Sequence, residues 1–271
     1  MSNGTCQAPA CNTNATGTCA CAAGQNTLGS GQASFAEGFN TTASQFASHS
    51  EGSDTSASGG SSHAEGYLTQ SAGDASHAEG FQSLSSNWAA HAEGSGSTAS
   101  GGSSHAEGSG NQSAGDSSHA EGYVTTASGT AAHSEGYNNF ASNWAAHSEG
   151  SGTNATGGSS HAEGSGSTAA GGSSHAEGYE TAASGEAAHV EGNNVIARGN
   201  NSHAEGFSTL AKTENTHAEG QYSLAMQGYL YTITAFDDTA KTLTLNDVVG
   251  LAVGDLITVK ANDTKAVEDI P

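Results

Sequence analysis

The thirteen histidines of this chain stand at 49, 63, 77, 91, 105, 119, 133, 147, 161, 175, 189, 203 and 217, a spacing of fourteen that never varies. Two residues after each histidine comes a glutamate, as in His63 and Glu65, His91 and Glu93, His119 and Glu121, His147 and Glu149, His175 and Glu177, and His203 and Glu205. An imidazole beside a carboxylate can do general acid–base chemistry, ligate a metal, or hold a hydrogen bond. Catalysis needs one asymmetric pocket with divided roles, and a pair repeated thirteen times offers none. No residue is therefore assigned to catalysis, and no cofactor is implied. Thirteen identical metal sites would be an unusual load, so no metal is assigned either. The reading adopted for the pairs is structural, with metal ligation by converging imidazoles, zinc or nickel being the fitting ions, as the alternative.

The elements that position these pairs follow from the rest of the repeat. With histidine as position 0, one step back from His49 gives Phe35, and fourteen copies then run over 35–230. Position 2 is always Glu, position 3 always Gly, position 1 Ala or Ser apart from Val190, and position 8 always Ala or Ser. Position 10 is Gly in nine copies, Gly59, Gly101 and Gly185 among them. A degenerate copy precedes these, with Cys21 at position 0 and Gly24, Thr27 and Gly31 at positions 3, 6 and 10. Asn87 to His91 repeats as Asn143 to His147, a shift of four whole units, which is how a stack of units grows.

Alternation identifies the stack. In Ser62-His63-Ala64-Glu65-Gly66 small residues take one parity and His and Glu the other, and Thr55, Ala57 and Gly59 alternate in the same way. That is the period of a strand. Each unit is thus one coil of two short strands and two Gly-rich turns, around a lumen of Ser, Ala, Gly and Thr too narrow for Leu or Phe. Coils stacked at about 4.8 Å make a rod of about 65 Å.

The pattern Ser-x-Ala-x-Gly, followed by a small residue, Ala and Gly at alternate positions in every unit, resembles the head repeat of trimeric autotransporter adhesins of the YadA type. The likeness covers 35–230, and its His-Ala-Glu-Gly form is similar to segments of phage and prophage fibre proteins and of spore-surface filaments of Gram-positive bacteria. It implies an all-β fold, a left-handed parallel β-roll assembled side by side as a homotrimer. In that family positions 0 and 2 face the other protomers and are usually aliphatic; here they are His and Glu. The resemblance thus implies a trimer-axis ladder of His–Glu hydrogen bonds that fixes register and assembly. The family's signal peptide, coiled-coil stalk and membrane anchor are not recognisable, so the expectation is an autonomous rod rather than a surface autotransporter.

Composition bounds the partners. Five Lys plus Arg against 27 Asp plus Glu give a net charge of -22, which removes the means of holding nucleic acid or an anionic membrane. No run of residues is apolar enough for a membrane span. The cysteines, Cys6, Cys11, Cys19 and Cys21, match no paired zinc spacing and point to disulfides in an oxidising setting. With no recognisable export signal, that setting is the outside of a cell or particle reached by lysis, such as a virion or spore appendage. On an extended chain Cys19 and Cys21 share a face, where Cys19 of one protomer can bond Cys21 of the next; local intrachain bridges are the alternative.

Aromatics at position 4 (Phe39, Tyr67, Phe81, Tyr123, Tyr137, Tyr179, Phe207) and Trp88 and Trp144 at position 11 read either as caps over coil corners or as platforms for a surface receptor or glycan. Thr at position 6 is too irregular for a regular ice-binding array, though an ice- or metal-binding solenoid stays an alternative. Residues 1–20 form a Cys-rich flexible connector and 21–230 the roll. Residues 231–271 form a small β-hairpin domain, with strands over 231–236, 242–245 and 255–259, that caps the last coil or connects onward. The function expected is a non-enzymatic structural subunit of an extracellular trimeric fibre whose main partner is itself, with a phage tail-fibre receptor-binding protein as the alternative.

Overall fold

The computed structural model describes residues 6–7, 13–225, 233–237 and 242–245. Two compact units divide the chain, 1–227 and 228–271. The first is a parallel β-solenoid. Between the terminal strands Cys6–Gln7 and His217–Ala218, each coil holds a five-residue strand at positions 0–4, such as His119–Tyr123, and a two-residue strand at positions 7–8, such as Thr126–Ala127. The long strands form one sixteen-stranded parallel sheet and the short strands another. Register is strict: His119 lies opposite His133, Glu121 opposite Glu135 and Tyr123 opposite Tyr137. Every column of the sheets therefore repeats one kind of position.

Small side chains fill the lumen because nothing else fits. Position 1 is fully buried, as at Ala64, Ala120 and Ala176, and so is position 8, as at Ala57 and Ser113. Val190 and Val195 are the largest fully buried side chains among the described residues. Some buried hydroxyls pair across the lumen, Ser113 Oγ with Ser118 Oγ at 2.7 Å and Ser148 Oγ with Thr153 Oγ1 at 2.7 Å, while those of Thr27, Thr41, Thr69 and Ser134 have no hydrogen-bond partner. The serine that precedes position 0 also donates to the position-10 carbonyl and closes the turn, Ser118 to Gly115 at 2.6 Å and Ser174 to Gly171 at 2.7 Å. A core of alanine methyls gives only roughly 0.8 kcal/mol per buried carbon, so the backbone ladder has to carry much of the cohesion.

That ladder runs both ways. Strand amides donate to the next coil, His119 N–H to the Ala132 carbonyl at 2.9 Å. At positions 5 and 12 the direction reverses: Val124 N–H donates back to the Ser109 carbonyl at 2.9 Å, and Ser117 N–H back to that of Gly102 at 2.8 Å. Both residues are left-handed, with φ of 55° and 56°. The left-handed turn costs about 1 kcal/mol for a residue with a side chain, and the bond to the preceding coil offsets it. Position 12 thus does not depend on glycine, being Ala or Ser in most coils, whereas at the position-10 turn glycines an added Cβ would meet backbone of the next coil, at 2.0 Å for Gly115. Glycine is indispensable at position 3: Gly122 has φ +109°, and an added Cβ would lie 2.2 Å from the Gly136 carbonyl oxygen.

The stack also begins earlier than the repeat predicts. Cys6–Gln7 pairs in parallel with Cys21–Gln25, and Asn14–Ala15 with Leu28–Gly29. Residues 1–20 are accordingly not a connector lying wholly outside the roll. Cys6 sits opposite Cys21, an interval of fifteen (21 minus 6) that escapes a scan at a strict period of fourteen. In the second unit Ile233–Asp237 pairs antiparallel with Thr242–Leu245. The strand expected over 255–259 and the capping role of the tail lie outside the described residues.

Replacing Gly122 with Ala should cost on the order of 3 kcal/mol, because backbone of the next coil must move. Gly152, with φ +67° and nothing within 4 Å of an added Cβ, should cost only about 1 kcal/mol on the same change. Guanidinium melts of both variants check this; equal losses would refute the account.

Candidate functional site

With position 1 turned into the lumen, positions 0, 2 and 4 of the long strand must face outward. The outer face of the long-strand sheet is consequently three parallel columns: histidine, glutamate, and a mixed column of Tyr, Phe and Ser. The first two are half-buried, His119 at 37% side-chain exposure and Glu121 at 45%. They hold His63, Glu65, His91, Glu93, His119, Glu121, His147, Glu149, His175, Glu177, His203 and Glu205 on one face, as the alternation requires.

Within the histidine column the rings stack. Centroids of His105 and His119 are 4.8 Å apart at 6°, those of His147 and His161 4.6 Å apart at 11°, and Phe35 continues the stack on His49 at 5.1 Å. This contact was legible in principle: histidine at one fixed position of every coil in an in-register sheet must put ring over ring at the strand spacing.

Between the columns the expected hydrogen bonds are not formed within one chain. Nε2 lies 3.7 Å from the Glu carboxylate at His119 and Glu121, 3.8 Å at His147 and Glu149, and 3.5 Å at His203 and Glu205. These are ion-pair distances, too long for a hydrogen bond. The Nε2 atoms of His63, His91, His119, His147, His175 and His203 are shut off from solvent and have no hydrogen-bond partner. The ring stack fixes where each imidazole points, and the flexible glutamate only approaches it. Groups such as His147, Glu149 and His161 hold one ligand atom each, all within 4.8 Å of one another, and could receive a metal ion.

Burial holds His91, His105, His147 and His189 below the ordinary histidine value of 6.5, neighbouring imidazoles push the same way, and nearby glutamates oppose both. A stacked ring is harder to protonate beside another that already carries a proton.

The aromatics lie outside this machinery. Tyr67, Tyr123, Tyr137 and Tyr179 are about half exposed, at 46–57%. Where adjacent coils both carry a ring the rings pair, Tyr123 with Tyr137 at 5.4 Å and Tyr67 with Phe81 at 5.6 Å. Trp88 and Trp144 are each 62% exposed. Both sit on a shared turn in which Asn87 and Asn143 accept the Trp backbone N–H at 2.8 Å, and their amides donate to carbonyls of the next coil.

The cysteines fall otherwise than an extended chain would place them. Cys19 is exposed, in the position-12 turn with φ 59°, while Cys21 starts the long strand in register with Phe35. The left-handed turn separates the two, so Cys19 does not share the strand face of Cys21. Cys11 and the side chain of Cys6 lie outside the described residues.

No protein-family model matches the chain, and neither does any curated protein.

The lowered histidines set a pH dependence. The unfolded chain takes up protons near 6.5 while these four folded imidazoles resist until lower pH. Their stabilisation is full above the unfolded value and is lost as pH falls through the window down to the folded values. The melting temperature at constant ionic strength should therefore fall between about pH 7.5 and about pH 5. Replacing His91, His105, His147 and His189 with Phe, the residue at position 0 in Phe35, should make that fall shallower. A profile equally steep in both proteins would contradict the assignment.

Proposed function

We propose that this chain is a non-enzymatic structural subunit of an extracellular fibre or appendage, assembled as a parallel homotrimer through its histidine–glutamate face. The observation that carries this reading is the sameness of that face. Coil after coil from His49 to His203 presents a half-buried His with a Glu two residues on, at the same register, so the chemistry is one extended strip rather than a single centre. A strip of this kind matches another rod, not a small substrate. Glutamates stacked in register repel one another, and a partner surface bearing histidines relieves that repulsion. Three copies would bring three imidazoles and three carboxylates to each layer, where the Nε2 atoms left without a hydrogen bond could find partners on neighbouring protomers. Its place on a virion or spore surface, and disulfides that reinforce the assembly, belong to the same proposal; Cys21, at position 0, is the cysteine placed to cross-link.

A second reading, a phage tail-fibre receptor-binding protein, draws on Trp88 and Trp144. Two exposed indoles on identical turns, four coils apart, are suited to stacking on sugar rings.

Sedimentation at micromolar concentration should return a trimer; a monomer would overturn the proposal. The pair His119→Val with Glu121→Ile should preserve assembly, since it replaces the contact with packed aliphatics. His119→Ala alone should cost about 3 kcal/mol, because Glu121 is then buried in the assembly without its partner. A harmless single change together with a disruptive double change would remove the ladder from the assembly.

A further inference from the structure

The gap between the histidine and glutamate columns has a chemistry of its own. An imidazole nitrogen that faces a carboxylate oxygen at 3.8 Å, as His147 does Glu149, is neither hydrogen-bonded nor free, because the atom is closed to water. A proton shared between the two would draw them to about 2.8 Å. A metal ion would hold them further apart. Ligands on arms of about 2.0–2.1 Å stand about 3.3 Å from each other at a tetrahedral angle, and nearer 4 Å as the angle opens. The separations of 3.8 Å at His147 and Glu149 and 4.0 Å at His91 and Glu93 lie in or beside that range.

A third donor completes each set. The next histidine in the stack, His161 above His147 and His105 above His91, brings its ligand atom to within 4.8 Å of the other two. The two rings stack at 4.6 Å and 4.7 Å respectively, so one of them has to turn out of the stack for both nitrogens to reach one ion, since two ligand arms span at most about 4.2 Å. The glutamates are the more exposed members, at 46% for Glu149 and 41% for Glu93, and can follow the rotated ring to complete the set.

We propose that the histidine–glutamate columns bind transition-metal ions, zinc foremost, at His-Glu-His sets such as His147, Glu149 and His161, and His91, Glu93 and His105. Two imidazoles and one carboxylate form a borderline donor set that suits zinc and rejects magnesium or calcium, which prefer all-oxygen sites. The sets share no residue, so several ions fit on one chain. Each doubly charged ion also offsets carboxylate charge in a chain of net charge -22. All three donors come from adjacent coils of one chain, so this inference does not rest on trimer assembly.

The test is metal content. The full chain, stripped with a chelator and then equilibrated with zinc alone near about pH 7.5, where imidazole is neutral, is passed through a desalting column and its zinc measured. More than one ion retained per chain is expected. The double variant His147→Gln with His161→Gln should retain about one ion fewer per chain, as only one donor of that set remains. Glu149→Gln, which leaves the ring stack untouched, gives the same comparison should the double variant fail to fold, and should weaken zinc binding at that set while strand content is unchanged by circular dichroism. Failure to retain zinc, variants that retain as much as the parent, or loss of the zinc to a roughly tenfold excess of magnesium would each overturn the proposal, the last by reducing it to diffuse attraction to acidic charge. Sedimentation of the same samples reads assembly separately, so metal binding and trimerisation succeed or fail on their own.

Discussion

In-register parallel stacking is the constraint on which this molecule depends. Each coil hands its backbone hydrogen bonds to the coil above and below, and like residues stack in columns only where successive coils have the same length, the one longer interval, Cys6 to Cys21, falling at the N-terminal end. The period of fourteen is what keeps His119 opposite His133 and Gly122 opposite Gly136. The invariant glycine at position 3 follows from the same rule: the carbonyl of the next glycine stands where a Cβ would go. With two strands and two turns to a coil the lumen admits methyls and hydroxyls and little more, so Val190 and Val195 are already large for it.

Stacking also multiplies whatever the outer face carries. One histidine on a strand is a side chain; a histidine on every coil is a column of rings at van der Waals distance, as His105 and His119 show. The basicity of His91, His105, His147 and His189 depends on their neighbours, because a proton on an adjacent ring disfavours a second. A glutamate column raises the same difficulty with the opposite sign. Histidine and glutamate side by side ease both, which gives a physical reason for the two columns to occur together.

The solenoid was legible because its signals are redundant. The histidine spacing, the glycine at position 3 and the alternation of small residues each give the same coil. The lumen residues followed from parity alone. Other features left weaker traces. Position 12 is left-handed yet carries Ala33, Ala47 and Ser61, residues that signal no such turn, because the reason lies in a hydrogen bond to the preceding coil. At position 5 the trace is better, with Asn26, Asn40 and Asp54 among its occupants, types that tolerate the left-handed region. The N-terminal coil was hidden by an interval one residue too long. The distance between His and Glu could not be read at all, since it depends on the glutamate rotamer, which the strand register leaves open. Cys19 and Cys21 were misjudged for a related reason: two residues apart means one face only where the chain is extended, and a turn intervenes.

The direction of the hydrogen bonds has a mechanical consequence. They run along the stack, so a pull from one end to the other loads the interfaces between coils in series. The weakest interface opens first, and one released coil pays out about 45 Å of extended chain for about 4.8 Å of rod lost. Such a rod yields in steps and takes up energy at each one. Its re-formation needs only the neighbouring coil as a template, which remains folded beside the released segment. A single rod of this design is therefore a stepwise extensible tether, and lateral bonding to parallel copies would convert it into a stiff strut.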